Sequence, residues 1–70
     1  MSKPDASLHN PAPDYLRGLI EQSGLSQRKA AHIIGVSERM MRYYLAPADH
    51  ADYREAPYVV QYALEGLAAD

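Results

Sequence analysis

Residues 26–46 have the sequence SQRKAAHIIGVSERMMRYYLA, which predicts two short helices joined by a tight turn. Ser26 and Ser37 each precede a helical pattern, and serine caps the free backbone N–H groups of a first helical turn. Gly35 falls where the first helix must end, in the left-handed conformation that glycine adopts most readily. Two helices joined so closely predict a helix-turn-helix.

The second of these helices has two faces of different chemistry at about 100° per residue. The inner face comprises Ser37, Met40, Met41, Tyr44 and Leu45, and the outer face comprises Glu38, Arg39, Arg42, Tyr43 and Ala46. We expect the inner face to join a core and the outer face to be exposed. Since an α-helix fits the DNA major groove, where arginine can bond guanine in a bidentate manner, the outer face is suited to reading bases.

The candidate base-reading residues are Arg39, Arg42, Tyr43 and Glu38. For the two arginines, the alternative is simple solvation of an exposed helix. Tyr43 is expected to point outward, either toward a phosphate or a thymine methyl group or into bare solvent. Glu38 repels phosphate, but it favours the helix dipole, and its carboxylate can accept from cytosine N4 or hold Arg39.

The start of the first helix carries groups that attract phosphate oxygens. Gln27, Arg28 and Lys29 supply an amide, a guanidinium and an ammonium group beside the free N–H groups of a helix N-terminus. The predicted contacts to the DNA backbone are Ser26, Gln27, Arg28, Lys29 and Ser37. His32 falls on the polar side of this helix and is expected to be a surface residue, with a regulatory protonation as the alternative.

The chain has 70 residues, no cysteine and a net charge of −2. This length predicts one small domain, which needs a disulfide, a metal or an oligomeric partner to be very stable. The missing cysteines exclude a disulfide, and the three histidines are too far apart in sequence to match a zinc site. Oligomerisation remains as the predicted source of stability.

Basic residues are concentrated in residues 26–46. This segment holds four basic residues and one acidic residue, whereas the rest of the chain holds three basic and eight acidic residues. Exposed charges separated by more than about 8 Å are largely screened at physiological salt, so the local excess matters more than the net charge. The pattern favours a nucleic-acid surface with weak non-specific affinity.

The N-terminal part is predicted to be a flexible arm at residues 1–9, followed by one domain at residues 10–69. Asn10 and the two prolines after it form a helix-start signature, with Asn10 as the cap. The helix is expected to run to about Ser23 and to end at Gly24. Its predicted inner arc comprises Ala12, Tyr15, Leu16, Leu19 and Ile20.

The C-terminal part is predicted to contain an irregular connection at residues 48–55 and a last helix from Pro57 to about Ala68. Its apolar surface covers more than half the circumference, so we expect a symmetric partner to cover what one domain leaves exposed. Val59, Val60, Ala63, Leu64 and Leu67 are expected to pack on the other helices, as are Ala30, Ile33 and Ile34. The predicted dimer interface comprises Tyr58, Val59, Tyr62 and Gly66. The predicted fold is all-α, a homodimeric four-helix domain with a central helix-turn-helix.

Four blocks of the sequence also carry a resemblance to a known family. They are Leu16-Arg17-Gly18-Leu19, residues 25–31, residues 39–45 with Met-Arg-Tyr-Tyr-Leu, and residues 56–65 with Ala-Pro-Tyr. In these blocks the chain resembles the anti-CRISPR-associated helix-turn-helix repressors, which are encoded beside anti-CRISPR genes in phages and other mobile elements. The likeness extends from Pro4 to Leu67.

This resemblance implies a homodimer that binds an inverted repeat in an anti-CRISPR promoter and represses that operon after an initial burst of transcription. It implies that Arg39 is the base-reading arginine and that Arg28 and Lys29 are a basic pair important for operator binding. The family often has a second arginine where this chain has Lys29, and lysine keeps the charge without the planar fork.

Enzyme function is not expected, because no nucleophile has a base on the same helix face and no glycine-rich phosphate loop is present. We expect no cofactor, metal or small-molecule ligand and no membrane association. The expected location is the cytoplasm of a bacterial host cell, at the nucleoid. The alternative function is a protein-interaction or antitoxin-like module that keeps the helix-turn-helix as a scaffold. It predicts a heteromeric contact through Tyr58 and Tyr62, and no salt-dependent DNA affinity.

Overall fold

The computed structural model describes residues 8–69, which contain four α-helices and no strand. Helix α1 is Pro13–Ser23, α2 is Gln27–Ile34, α3 is Glu38–Leu45 and α4 is Tyr58–Ala69. The predicted all-α class is therefore confirmed. Residues 1–7 of the predicted arm and the last residue lie outside the described part. None of the four helices combines the length and the apolar character that a membrane span requires.

The start of α1 differs from the prediction. Ala12 occupies the cap position, and no side chain caps the helix. Asn10 lies too early to cap: its Oδ1 accepts from the Ala12 N–H at 3.2 Å, and its own N–H donates to Gln61 Oε1 at 2.7 Å. Pro13 is the first helical residue and has no backbone N–H group, so one fewer N–H group in this first turn needs a capping partner. The predicted end is confirmed, since Gly24 has a φ of 77° and terminates α1.

The joint between α2 and α3 follows the sequence prediction closely. Ser26 Oγ accepts from the Lys29 N–H at 3.0 Å, and Ser37 Oγ accepts from the Met40 N–H at 3.1 Å. Gly35 ends α2 with a φ of 81°, in the left-handed region. Both helices thus begin at a serine cap, and only three residues separate them.

The core lies where α1 packs along α4, with α2 and α3 closing the remaining side. Ala30 and Ala31 are fully buried, and two adjacent small side chains let α2 approach its neighbours closely. The buried apolar residues are Leu16, Leu19, Ile20, Ala30, Ala31, Met41, Leu45, Ala56, Val60 and Leu64.

Four residues expected inside the domain lie at its surface. Ile33 is 48% exposed and Val59 is 68% exposed, and Ala12 and the cap residue Ser37 are also exposed. In α2 the buried arc is centred on the two alanines, which leaves Ile33 at its edge. In α4 the buried arc is centred on Val60 and Leu64, so Val59 turns away from the core.

Gln61 is the one polar side chain buried among the described residues. Its Nε2 donates to the Leu8 carbonyl at 3.0 Å and to Glu65 Oε2 at 3.1 Å, while its Oε1 accepts from the N–H of Asn10. A buried amide is tolerated when it is bonded in this way. These bonds attach the chain before α1 to α4.

His9 makes a second attachment between the same parts of the chain. Its Nε2 lies 2.8 Å from the Ala56 carbonyl oxygen, and its ring centroid lies 5.7 Å from that of Tyr58. Leu8 and His9 therefore belong to the folded domain rather than to an arm. A flexible arm stays a prediction for residues 1–7 alone.

Candidate nucleic-acid interface

The N-termini of α2 and α3 meet on one side of the domain. The side chains of Arg28, the second residue of α2, and Glu38, the first residue of α3, join them: Arg28 Nε lies 3.6 Å from Glu38 Oε2. Ser26 and Ser37, the two cap residues, are also exposed here. Helix N-termini carry free N–H groups and a partial positive charge, so this side of the domain favours anions.

The orientation of α3 agrees with the sequence prediction. Met41 and Leu45 are only 1% and 3% exposed, and Tyr44 packs against the core. Arg39 and Arg42 are exposed, as is Glu38 beside them. The two guanidinium groups therefore belong to the solvent face of α3, which is the condition for contact with a partner molecule.

Tyr43 does not point freely into solvent as expected. It is half-buried, and the guanidinium carbon of Arg54 lies 5.9 Å from the centre of its ring. Its carbonyl oxygen accepts from the Arg54 N–H at 3.1 Å. Tyr43 thus holds the connection between α3 and α4. If the Tyr43 ring contacts a base, it must do so while it also contacts Arg54. Arg54 adds a cation beside α3 that no sequence pattern indicated, because the connection has no period.

The predicted backbone-contact residues of α2 are all exposed: Ser26, Gln27, Arg28 and Lys29. Ser26 Oγ accepts the cap bond, and its hydroxyl hydrogen can still donate. Lys29 takes part in no ion pair within residues 8–69. Its ammonium group is thereby accessible to an incoming phosphate.

Two shallow grooves flank the contact between Arg28 and Glu38, and both are lined by those two side chains. They bring most of the predicted site residues into one surface, although Arg39 and Tyr43 lie outside both grooves. The first groove is lined by Ser26, Arg28, Lys29, His32, Val36, Ser37 and Glu38. The second is lined by Ser26, Gln27, Arg28, Glu38, Met41 and Arg42.

Arg17 fixes the other end of α3, a role that its place on the polar side of α1 did not indicate. One terminal nitrogen donates to the carbonyl oxygen of Leu45, the last residue of α3. The other lies 3.6 Å from Asp14 Oδ1. The last carbonyl groups of a helix lack partners within it, and a cation there is favoured by the helix dipole. Arg17 therefore positions α3 from its C-terminal end.

The predicted dimer interface lies on α4. Tyr58 and Tyr62 are half-buried with ring centroids 6.3 Å apart in an edge-to-face arrangement, and Val59 and Gly66 are exposed. Val59 exposes its isopropyl group on the same helix as the two rings. Self-association through this face stays a prediction.

Tyr15 and Glu65 form a separate polar contact between α1 and α4. The Tyr15 hydroxyl group donates to Glu65 Oε2, which also accepts from the buried amide described above. This hydrogen bond to Glu65, followed by desolvation and by the charge of the carboxylate, raises the pKa of Tyr15 above its ordinary value. The contact joins α1 to α4 among residues that pack the domain, so we assign it a structural role.

Neither protein-family models nor curated protein sequences give a match to this chain. The resemblance to anti-CRISPR-associated repressors therefore depends on the sequence blocks themselves. Within residues 8–69, no three histidine, aspartate or glutamate side chains are grouped so that they could hold a metal ion. The starts of α2 and α3 expose charged and hydrogen-bonding side chains.

Proposed function

We propose that the protein is a sequence-specific DNA-binding transcriptional repressor that acts as a homodimer. Its site would be an inverted repeat in the promoter of an anti-CRISPR operon, which it would repress and so autoregulate. The observation that carries this proposal is the outward orientation of Arg39 and Arg42 on a helix whose opposite face is buried. The exposed Arg28 and Lys29 at the neighbouring helix start support it.

In this proposal α2 and α3 act as a helix-turn-helix, with α3 in the major groove. Recognition helices contact base edges mainly with their N-terminal residues, and Arg39 is the second residue of α3. A guanidinium group can bond the O6 and N7 atoms of guanine together. Arg42, one turn later on the same exposed face, would read a neighbouring base pair or bind its phosphate.

The start of α2 would lie against the sugar-phosphate backbone. Arg28 and Lys29 supply two cations there, and the capped first turn adds N–H groups and the positive end of the helix dipole. Such contacts do not distinguish one base sequence from another, but they fix the register of the recognition helix on the duplex. They also make binding fall as salt rises, because each neutralised phosphate releases counterions.

A dimer through α4 would present two copies of α3 to one face of a duplex. Successive major grooves on one face are about 34 Å apart. The described domain measures 37 × 26 × 19 Å, so two domains side by side can span that distance. A two-fold axis between them would match an inverted repeat. The anti-CRISPR operon as the target follows from the sequence resemblance alone.

Fluorescence anisotropy on labelled DNA tests the proposal. The promoter upstream of the protein's own operon is searched for an inverted repeat, and that duplex is compared with a scrambled one at several salt concentrations. We expect salt-dependent binding of a dimer with a clear preference for the inverted repeat. Equal binding to both duplexes would remove the sequence-specific part. The absence of salt-dependent binding would favour the alternative of a protein-interaction module.

A further inference from the structure

Glu38 occupies an unfavourable place for a protein that binds phosphate. It is the first residue of α3, it is exposed, and it is the single acidic residue within residues 26–46. Both grooves between the cations of α2 and α3 include it in their lining. The helix dipole favours a carboxylate in a first turn, but the dipole does not account for a partner on another helix.

That partner is Arg28, at 3.6 Å from Nε to Oε2. The first turn of α2 contains no acidic residue, so the guanidinium group lies at the positive end of its own helix without a local counter-charge. The side chains of Arg28 and Glu38 are 82% and 63% exposed. An ion pair so exposed is weak, and a DNA phosphate can replace the carboxylate as the partner of Arg28.

We propose that Glu38 is a specificity-determining residue that holds Arg28 in the free protein and releases it when a base supplies another partner. The inference rests on the proposed function. At the N-terminus of a recognition helix, Glu38 would lie near base edges, where cytosine N4 and adenine N6 are donors. On operator DNA the carboxylate accepts from such an amino group, and Arg28 turns to a phosphate.

On DNA without that amino group, Arg28 can bind a phosphate only by leaving the carboxylate unpaired beside the same backbone. Glu38 therefore couples one base contact to one phosphate contact and lowers the affinity for non-operator DNA. This differs from a carboxylate that only reads a base, because part of its effect passes through Arg28. The difference can be measured.

Glu38→Gln removes the charge and keeps the size of the side chain. We expect non-operator affinity to rise by about 1.5- to 5-fold per subunit, the range for loss of an exposed ion pair. The slope of log affinity against log salt should become steeper by up to about one per subunit. Operator affinity should rise less, because the base loses a charged acceptor, so the ratio of operator to non-operator affinity falls.

Glu21→Gln is the matched control. Glu21 is exposed on α1, forms no ion pair within residues 8–69, and gives the same change in net charge. The effect of Glu38→Gln should exceed that of Glu21→Gln, and in an Arg28→Ala background it should shrink to the size of the control. Glu38→Asp keeps the charge at the start of α3 with a shorter side chain, and it provides a second variant should glutamine unfold the helix. It is expected to raise the non-operator affinity in the same direction, but by less.

Circular dichroism melting of each variant separates binding effects from unfolding. Equal gains for Glu38→Gln and Glu21→Gln, or a gain that persists in full without Arg28, would overturn the inference while wild-type operator binding still supports the proposed function. Wild-type protein that binds no duplex in a salt-dependent way would overturn both. The two failures are thus distinguishable in one set of titrations.

Discussion

The guanidinium group of Arg17 on α1 donates a hydrogen bond to the carbonyl oxygen of Leu45, the last residue of α3. Arg17 therefore connects the helix that packs on α4 to the helix that carries the predicted base-reading arginines. At its other end α3 is held by the Ser37 cap. An eight-residue helix, too short to be stable by itself, is thereby fixed at both termini.

Arg17→Ala is expected to lower the free energy of unfolding by about 1 kcal/mol, because the Leu45 carbonyl loses a charged donor at a partly exposed site. Urea denaturation measures the change. The control is Asp14→Asn, which removes the 3.6 Å ion pair of Arg17 but leaves its bond to α3. Since that pair is exposed, and since the charge of Asp14 also favours the dipole at the start of α1, the control should cost about 0.5 kcal/mol, which is less than Arg17→Ala. Equal losses in the two variants would contradict a specific role for the bond to Leu45.

Two glycines give stability predictions of opposite sign: Gly35 in the turn between α2 and α3, and Gly18 inside α1. Gly35 has a φ of 81°, and an alanine there is strained by about 1 kcal/mol even though no atom beyond its chain neighbours lies within 4 Å of the added carbon. Gly18 lies inside α1 with equally open space, and alanine there should stabilise by about 0.5–1 kcal/mol. Urea unfolding of Gly35→Ala and Gly18→Ala compares them. Stabilisation by both substitutions would contradict the left-handed turn.

The pH dependence of stability should report on Tyr15. Its pKa is raised above the ordinary value of 10.0, chiefly by the hydrogen bond to Glu65, so the folded state favours the protonated hydroxyl group. This contribution is complete below pH 10 and is lost as the pH rises through the raised pKa, because the unfolded chain releases the proton first. Wild type should lose more stability above pH 10 than Tyr15→Phe does. Parallel pH curves for the two proteins would contradict the contact.

Of the basic pair at the start of α2, Lys29 is predicted to act on all DNA alike, whereas Arg28 is linked to Glu38. Lys29→Ala should weaken binding to operator and scrambled duplexes by similar factors, since phosphate contacts do not depend on base sequence. Arg28→Ala should weaken operator binding somewhat more, because Glu38 limits the Arg28 phosphate contact on other DNA. Each variant should also reduce the salt slope by about one per lost contact per subunit. Anisotropy titrations over a salt series measure both quantities. A selective loss of operator binding in Lys29→Ala would instead assign the Lys29 side chain to a base contact.

Local features of the fold could be predicted because their causes are local. A serine before a helical pattern and a glycine after it fix the ends of α2 within a few residues, and the caps at Ser26 and Ser37 follow directly. The face of α3 could be predicted for the same reason, since buried and exposed positions repeat with the period of the helix. Because Met41 and Leu45 are buried in the core, the arginines of α3 must lie on its exposed side.

The features that were missed depend on contacts between distant parts of the chain. The Gln61 amide lies on an apolar arc and is buried because Leu8, Asn10 and Glu65 supply its partners. No helical period predicts such a set. The same holds for the ring of Tyr43, which lies beside Arg54 in an irregular connection. The ends and faces of helices are determined by nearby residues in the sequence, whereas the polar contacts between helices depend on the assembled fold.

The dissociation constants of Arg39→Ala for the inverted repeat and for a scrambled duplex test the central claim most directly. A bidentate contact is worth about 1–3 kcal/mol for each base pair, and a dimer has two. We predict that the folded variant loses most of its operator affinity and much of its preference for the inverted repeat, with Arg39→Lys in between. Folded Arg39→Ala that binds the inverted repeat at full strength and with full preference would contradict the account.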